Sequence, residues 1–144
     1  DVGDKAVTSR RATARAEVRM SAETFRRLAS GQTPKGDVLA AARIAGIQAA
    51  KMTPSLIPLC HVIQLTKVEI DIRLEDGVAL VDALAEARDR TGVEMEAMVA
   101  ASTAALTLYD MLESIDRGIS FEVALLEKDG GKTGLWQREA GEAP

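Results

Sequence analysis

Three stretches of the chain concentrate side chains able to bind and transform an anionic substrate. The first runs from Lys35 to Lys51, two cations bracketing an Ala- and Ile-rich segment. The second is Leu59-Cys60-His61, where the one histidine of the chain sits among prolines and apolar residues. An imidazole there is able to bind a phosphate or sugar, or to pass a proton near neutral pH, although a lone histidine more often has a structural role. Cys60 has no base beside it in sequence and is given no nucleophilic role. The third stretch joins Glu94-Met95-Glu96 to Asp110. Glu96 and Asp110 are fourteen residues apart, which puts them on nearly the same face of a helix but about 21 Å apart along it. They either serve different ends of a substrate or belong to sites shared between subunits. Glu94 and Glu96 also have a plain reading, as a cap and as charges favouring the positive end of a helix. That reading fails for Asp110, which falls near a helix C-terminus, where the dipole disfavours a negative charge. Finally, Lys128 and Lys132 flank Gly130-Gly131, either as a phosphate-wrapping loop or as a plain turn with solvated lysines. The spacing is not that of a P-loop.

Composition narrows the setting for this chemistry. The chain has 144 residues, enough for one domain; 47% are apolar and 28% charged, which describes an ordinary globular protein. A net charge of −4 argues against broad binding to nucleic acid or anionic membrane, so an anionic substrate must meet a local basic cluster. One cysteine forms no intrachain disulfide and, without further Cys/His spacing, no zinc site, which fits a reducing, cytoplasmic setting. No apolar run approaches the roughly 20 residues that span a bilayer.

The elements that must position these groups are legible from periodicity. Ala12, Ala14, Ala16, Val18 and Met20 alternate with polar residues, which predicts a half-buried strand. Ser21 and Gly31 bound a short helix, and Asp37 caps a second one running to about Lys51. Residues 65–73 alternate again, Asp76-Gly77 predicts a type I′ hairpin, and a strand returns from Val78 to about Arg88. Thr91 and Glu94 have capping-box spacing for a helix running to Arg117 with Gly118 as its stop. Between Ala97 and Leu108 that helix carries almost no charge on any side, so it should be surrounded by protein, which one small domain does not easily provide. Ile119, Phe121, Val123 and Leu125 predict a last strand, and residues 137–144 form a polar tail expected to fray. The result is one α+β domain over residues 1–136, with helices on one face of an antiparallel sheet.

KGDVLAAARIAGIQAAK, LIPLCH, TGVEMEA, AALTLYDM and LLEKDGGKTG follow one another through the chain. In this order they resemble the signature blocks of the cyclic pyranopterin monophosphate synthase (MoaC) family, and the likeness covers essentially the whole sequence. The resemblance implies a ferredoxin-like subunit in a homohexamer, a trimer of dimers with active sites at subunit interfaces. It implies a lyase of molybdenum cofactor biosynthesis that converts a 3′,8-cyclised dihydroguanosine triphosphate to cyclic pyranopterin monophosphate and diphosphate. No redox cofactor is needed, and Mg²⁺ is admitted as a companion of the triphosphate. Carried over by motif, Asp110 is the catalytic aspartate, with Lys51 and Lys128 as catalytic cations. Leu59, Cys60, His61, Met95, Glu96, Arg10 and Lys35 bind substrate.

One position departs from the family pattern. Three residues after the aspartate the family carries a catalytic lysine, whereas this chain reads Asp110-Met111-Leu112-Glu113. Residues three apart are neighbours on adjacent helix turns, so a lysine at 113 would pair with Asp110, while Glu113 sets a like charge beside it. Two readings follow: a working synthase in which another lysine, such as Lys128 or Lys132, supplies the cation, or an impaired member that serves as a ligand-binding or assembly subunit.

Overall fold

The computed structural model describes Gly3 and residues 6–139. The elements run β1 (Thr8–Arg19), α1 (Ala22–Ser30), α2 (Val38–Lys51), α3 (Thr53–Leu56), β2 (Leu65–Glu75), β3 (Val78–Asp89), α4 (Glu94–Leu112), β4 (Ser120–Asp129) and β5 (Trp136–Gln137). All strand pairs are antiparallel, the sheet order is β2-β3-β1-β4-β5, and the helices lie on one face. With α1 to α3 together forming the first crossover, this is the β-α-β-β-α-β order of a ferredoxin-like α+β fold, extended by β5.

Alternation sets the sheet's two faces. Ala12, Ala14, Ala16 and Val18 of β1 are fully buried against the helices, as are Ala79, Val81, Ala83 and Ala85 of β3. The other face is mostly polar, with Leu80 and Leu84 of β3 among its charged residues; there the Arg15 guanidinium grips the Asp82 carboxylate through two bonds of 2.6 and 2.9 Å. The β2–β3 hairpin turns at Asp76 and Gly77 with φ of 51° and 82°, both left-handed as a type I′ turn requires.

Capping residues act largely where their types predict. The Ser21 hydroxyl accepts the Thr24 amide, Asp37 accepts the Ala40 amide, and Gly31 closes α1 in the left-handed region at φ 77°. Thr53 closes α2 by donating to the carbonyls of Ala49 and Ala50, and Pro54 then opens α3, a single turn without periodicity of its own.

Three boundaries differ from the sequence reading. The capping box at Thr91 and Glu94 does not form: the N-cap is Val93 and makes no side-chain bond, because the Glu94 carboxylate turns to Lys128 instead. Helix α4 stops at Leu112, five residues before Arg117. The amides of Ile115 and Asp116 both turn back onto the Leu112 carbonyl, and Asp116 takes the amides of Ser21 and Gly118 at 2.9 Å each. The chain beyond Trp136 is held as well, since Gln137 pairs in β5 and Arg138 donates its amide to the Leu126 carbonyl at 2.8 Å. Two paired residues are too few to show a period. The remainder of the polar tail, from residue 140, lies outside the described residues.

Helix α4 is seated by small residues. Ala97, Ala100, Ala101, Ala104 and Ala105 are buried against the alanines of β1 and β3, with Leu108 and Leu112 filling the far end. On its side, Gly46 of α2 lets the two helices touch: a Cβ at residue 46 would lie 2.9 Å from Ile70 Cδ1 and 3.0 Å from the Ala100 carbonyl oxygen. Gly46→Val should therefore cost about 1–3 kcal/mol through overpacking, read as a lower urea midpoint at an unchanged slope. A midpoint equal to the parent's would show that α2 and α4 move apart freely.

Candidate functional site

The antiparallel run of α2 against α4 divides the candidate residues between two ends of the helix layer. Lys35, just before α2, donates from Nζ to the Asp110 carbonyl oxygen at 3.2 Å, near the end of α4. Gly46 lies beside Ala100, so Lys51 at the close of α2 belongs to the opposite end, where α4 begins.

At the start of α4, Glu96 is 2% exposed, and its Oε1 has no hydrogen-bond partner among the described residues. Its Oε2 accepts from the Cys60 thiol at 3.6 Å. Burial pushes the Glu96 carboxyl up, and the carboxylates of Glu94 and Asp89 add to this; its own backbone amide and the Cys60 thiol pull the other way. Burial and the Glu96 charge push the Cys60 thiol up too, so it stays a protonated donor, consistent with no nucleophilic role. On either side of Cys60, Leu59 is 94% exposed and His61 is exposed, while neighbouring Met95 is partly open.

A cavity of about 750 Å³, lined by neither Cys60 nor Glu96, opens between the start of β1, the start of α4 and the glycine turn. Arg10, Glu94, Lys128 and Lys132 line it. Lys128 lies within β4 rather than in a loop, because that strand runs on to Asp129, and its Nζ is 3.2 Å from Glu94 Oε2. Arg10 donates from Nε to the Asp89 carbonyl at 3.1 Å and passes over Gly131, where any Cβ would collide with its guanidinium. Gly130 adopts φ 107° against the Ser9 carbonyl, so these glycines serve the close approach of β1 and Arg10 as well as any ligand. Among the described residues three cations and one carboxylate converge here, a local positive excess on a chain that is negative overall.

The far end is plainer. Asp110 is exposed, and Glu113 follows one turn later, half-buried, with Arg117 Nε 4.0 Å from its carboxylate. Asp110 and Glu96 are fourteen residues apart on a continuous helix, hence about 21 Å apart. A single chain thus brings together Arg10 with Lys128 and, separately, Cys60 with Glu96. It sets Asp110 with Lys35 instead of with Lys51 or Lys128. The part of Glu94 at the cavity was not read from the sequence, because its spacing from Thr91 matches a helix cap. Among the described residues no group of three His, Cys, Asp or Glu is arranged to hold a metal ion, and no helix is long and apolar enough to cross a membrane.

Comparison with known proteins agrees with the ordered sequence blocks. The profile of the MoaC family matches residues 1–131. A protein of Thermomicrobium roseum named cyclic pyranopterin monophosphate synthase is 51% identical over 146 residues, an alignment covering 99% of this chain and 88% of the relative.

The buried Glu96 carboxyl makes a pH-dependent contribution to stability. Because its folded-state pKa is raised, the folded protein holds this proton more tightly than the unfolded chain does. The resulting stability is fully present below the ordinary glutamate range and is lost as pH rises through the raised value. Glu96→Gln keeps the acceptor for Cys60 without the charge. The stability of this variant relative to the parent should climb with pH and level off above the folded-state pKa. Urea titrations across that range check it, and a pH-independent difference would mean that Glu96 carries no buried charge.

Proposed function

The chain belongs to the MoaC family, and from that premise we propose that it is a cyclic pyranopterin monophosphate synthase. The single observation that carries the reading is 51% identity to a protein of that name across 99% of this chain. The reaction class is a lyase step of molybdenum cofactor biosynthesis in the cytoplasm. A cyclised guanosine-derived triphosphate is rearranged to the pyranopterin with loss of diphosphate, a step without a redox cofactor. Arg10, Lys128 and Lys132 at the cavity supply the cations that a polyphosphate and a departing diphosphate require. Asp110 moves protons at the other end of α4, where Lys35 is held on the Asp110 backbone carbonyl.

Separation of the two ends supports sites built from more than one subunit. In one chain the outer surfaces of α2, α3, the segment after α3 and α4 leave Ile44, Leu56, Val62 and Leu106 exposed, with Leu106 at 56%. Apolar side chains at these places need cover, and a homohexamer that lays one helix layer against another provides it. In such an assembly the Asp110 end of one α4 completes the Glu96 end of a neighbour. Light scattering at micromolar concentration should give a monodisperse mass six times that of the chain; a monomer would sink the shared-site reading.

Glu113 favours a second reading, that of an impaired member, because its carboxylate turns to Arg117 and offers Asp110 no cation. Single-turnover formation of cyclic pyranopterin monophosphate decides between the two. Under the synthase reading the parent chain forms product, and Asp110→Asn abolishes it. Glu113→Lys should raise the rate by about 10²–10⁴-fold, the usual worth of a well-placed acid-base group. A parent already as fast as Glu113→Lys would show that Lys35 or another residue fills the role. Absence of turnover in both would favour the binding subunit.

A further inference from the structure

Glu94 occupies an unusual place for the first residue of a helix. A carboxylate there ordinarily turns over the free amides of the first turn, yet no side-chain cap forms and Val93 is the N-cap. The carboxylate instead folds over Gly92, where a Cβ would collide with Oε1, and reaches Lys128 Nζ at 3.2 Å. Both side chains remain about a third exposed, and both line the 750 Å³ cavity that Arg10 and Lys132 also face. The Lys128 ammonium of the cationic cluster is therefore already matched by an internal anion.

We propose that Glu94 is a displaceable counter-ion that sets how tightly this cavity holds diphosphate. The inference rests on the synthase reading, in which diphosphate is the leaving group. With no ligand bound, Glu94 fixes the Lys128 side chain in the cavity mouth. When a diphosphate group enters, Lys128 is shared with it or released to it, and the carboxylate then stands against the new anion. That repulsion weakens the product complex and favours departure of diphosphate. Glu94 thus acts through Lys128 as a positioning residue. Gly92 is the structural condition for it, since any side chain at residue 92 would occupy the carboxylate's place.

Titration calorimetry with inorganic diphosphate tests the idea on the full chain, comparing the parent with Glu94→Gln and Glu94→Asp. The glutamine variant, which keeps size and loses charge, should bind diphosphate roughly three- to tenfold more tightly, with a steeper loss of affinity as salt is added. The shorter aspartate should fall between the two. Inhibition by diphosphate in multiple-turnover assays should strengthen in the same order, while the single-turnover rate changes less. A merely structural staple predicts the opposite, because Lys128 would wander once unpinned and affinity would fall. A folded variant that binds no more tightly than the parent overturns the proposal, as does the absence of diphosphate binding to all three proteins. The synthase reading is judged separately by product formation in the parent. A parent that turns over while Glu94→Gln leaves diphosphate affinity unchanged sinks the counter-ion alone, and a parent without product sinks the reading itself.

Discussion

Close approach of α4 to the sheet is the constraint from which the rest of the molecule follows. The contact is built from alanine on both sides, with Gly46 giving the same intimacy between α2 and α4. Small side chains bring backbones within dispersion range, and an interior packed to that density has little room to adjust. Aromatic residues make up only 3% of the chain, so few large side chains are present to hold the layers apart. The helix axis is fixed, and the positions of its two ends are fixed with it.

Those two ends carry the chemistry. The start of α4 brings Glu94 and Glu96 to Lys128 and Cys60, while near its end the Asp110 backbone carbonyl accepts from Lys35. A rigid helix of this length holds the groups apart, and no rearrangement of side chains closes about 21 Å. The same packing that makes the subunit stable thus leaves each end of the helix layer with part of a site. It also leaves Ile44 and Leu106 exposed on the outer surface of the helix layer. Both features support one reading, in which neighbouring chains cover the face and complete the site together.

Electrostatics at the cavity shows how local order overrides overall composition. The chain is acidic, yet Arg10, Lys128 and Lys132 face one space because β1, β4 and the glycine turn converge there. Holding like charges together in a free protein is unfavourable, and the Glu94 carboxylate offsets part of that cost. Glu96, two residues on, is buried, with one oxygen unpartnered among the described residues, and burial holds it closer to its neutral form. Of these two carboxylates on one helix turn, one reaches a cation at the cavity and the other is shut away from water.

By itself the sequence determined the strands at β1 to β4, the caps at Ser21, Asp37 and Gly31, and the type I′ hairpin. Each of these is a local matter of side-chain period, backbone freedom or a hydroxyl near a free amide. It also determined the family, through ordered blocks that need no coordinates. The end of α4, the two-residue β5 and the fate of Glu94 were decided by tertiary structure alone. Asp116 binds the amide of Ser21, ninety-five residues away, together with that of Gly118 beside it, β5 exists only through its pairing with β4, and Glu94 chooses between a cap three residues away and a lysine thirty-four residues away. The grouping of the site residues was likewise invisible in one dimension, since it depends on α2 running antiparallel to α4. That direction puts Lys35, and not Lys51, beside Asp110, because two helices that touch at Gly46 and Ala100 carry their remaining residues to opposite ends of the layer.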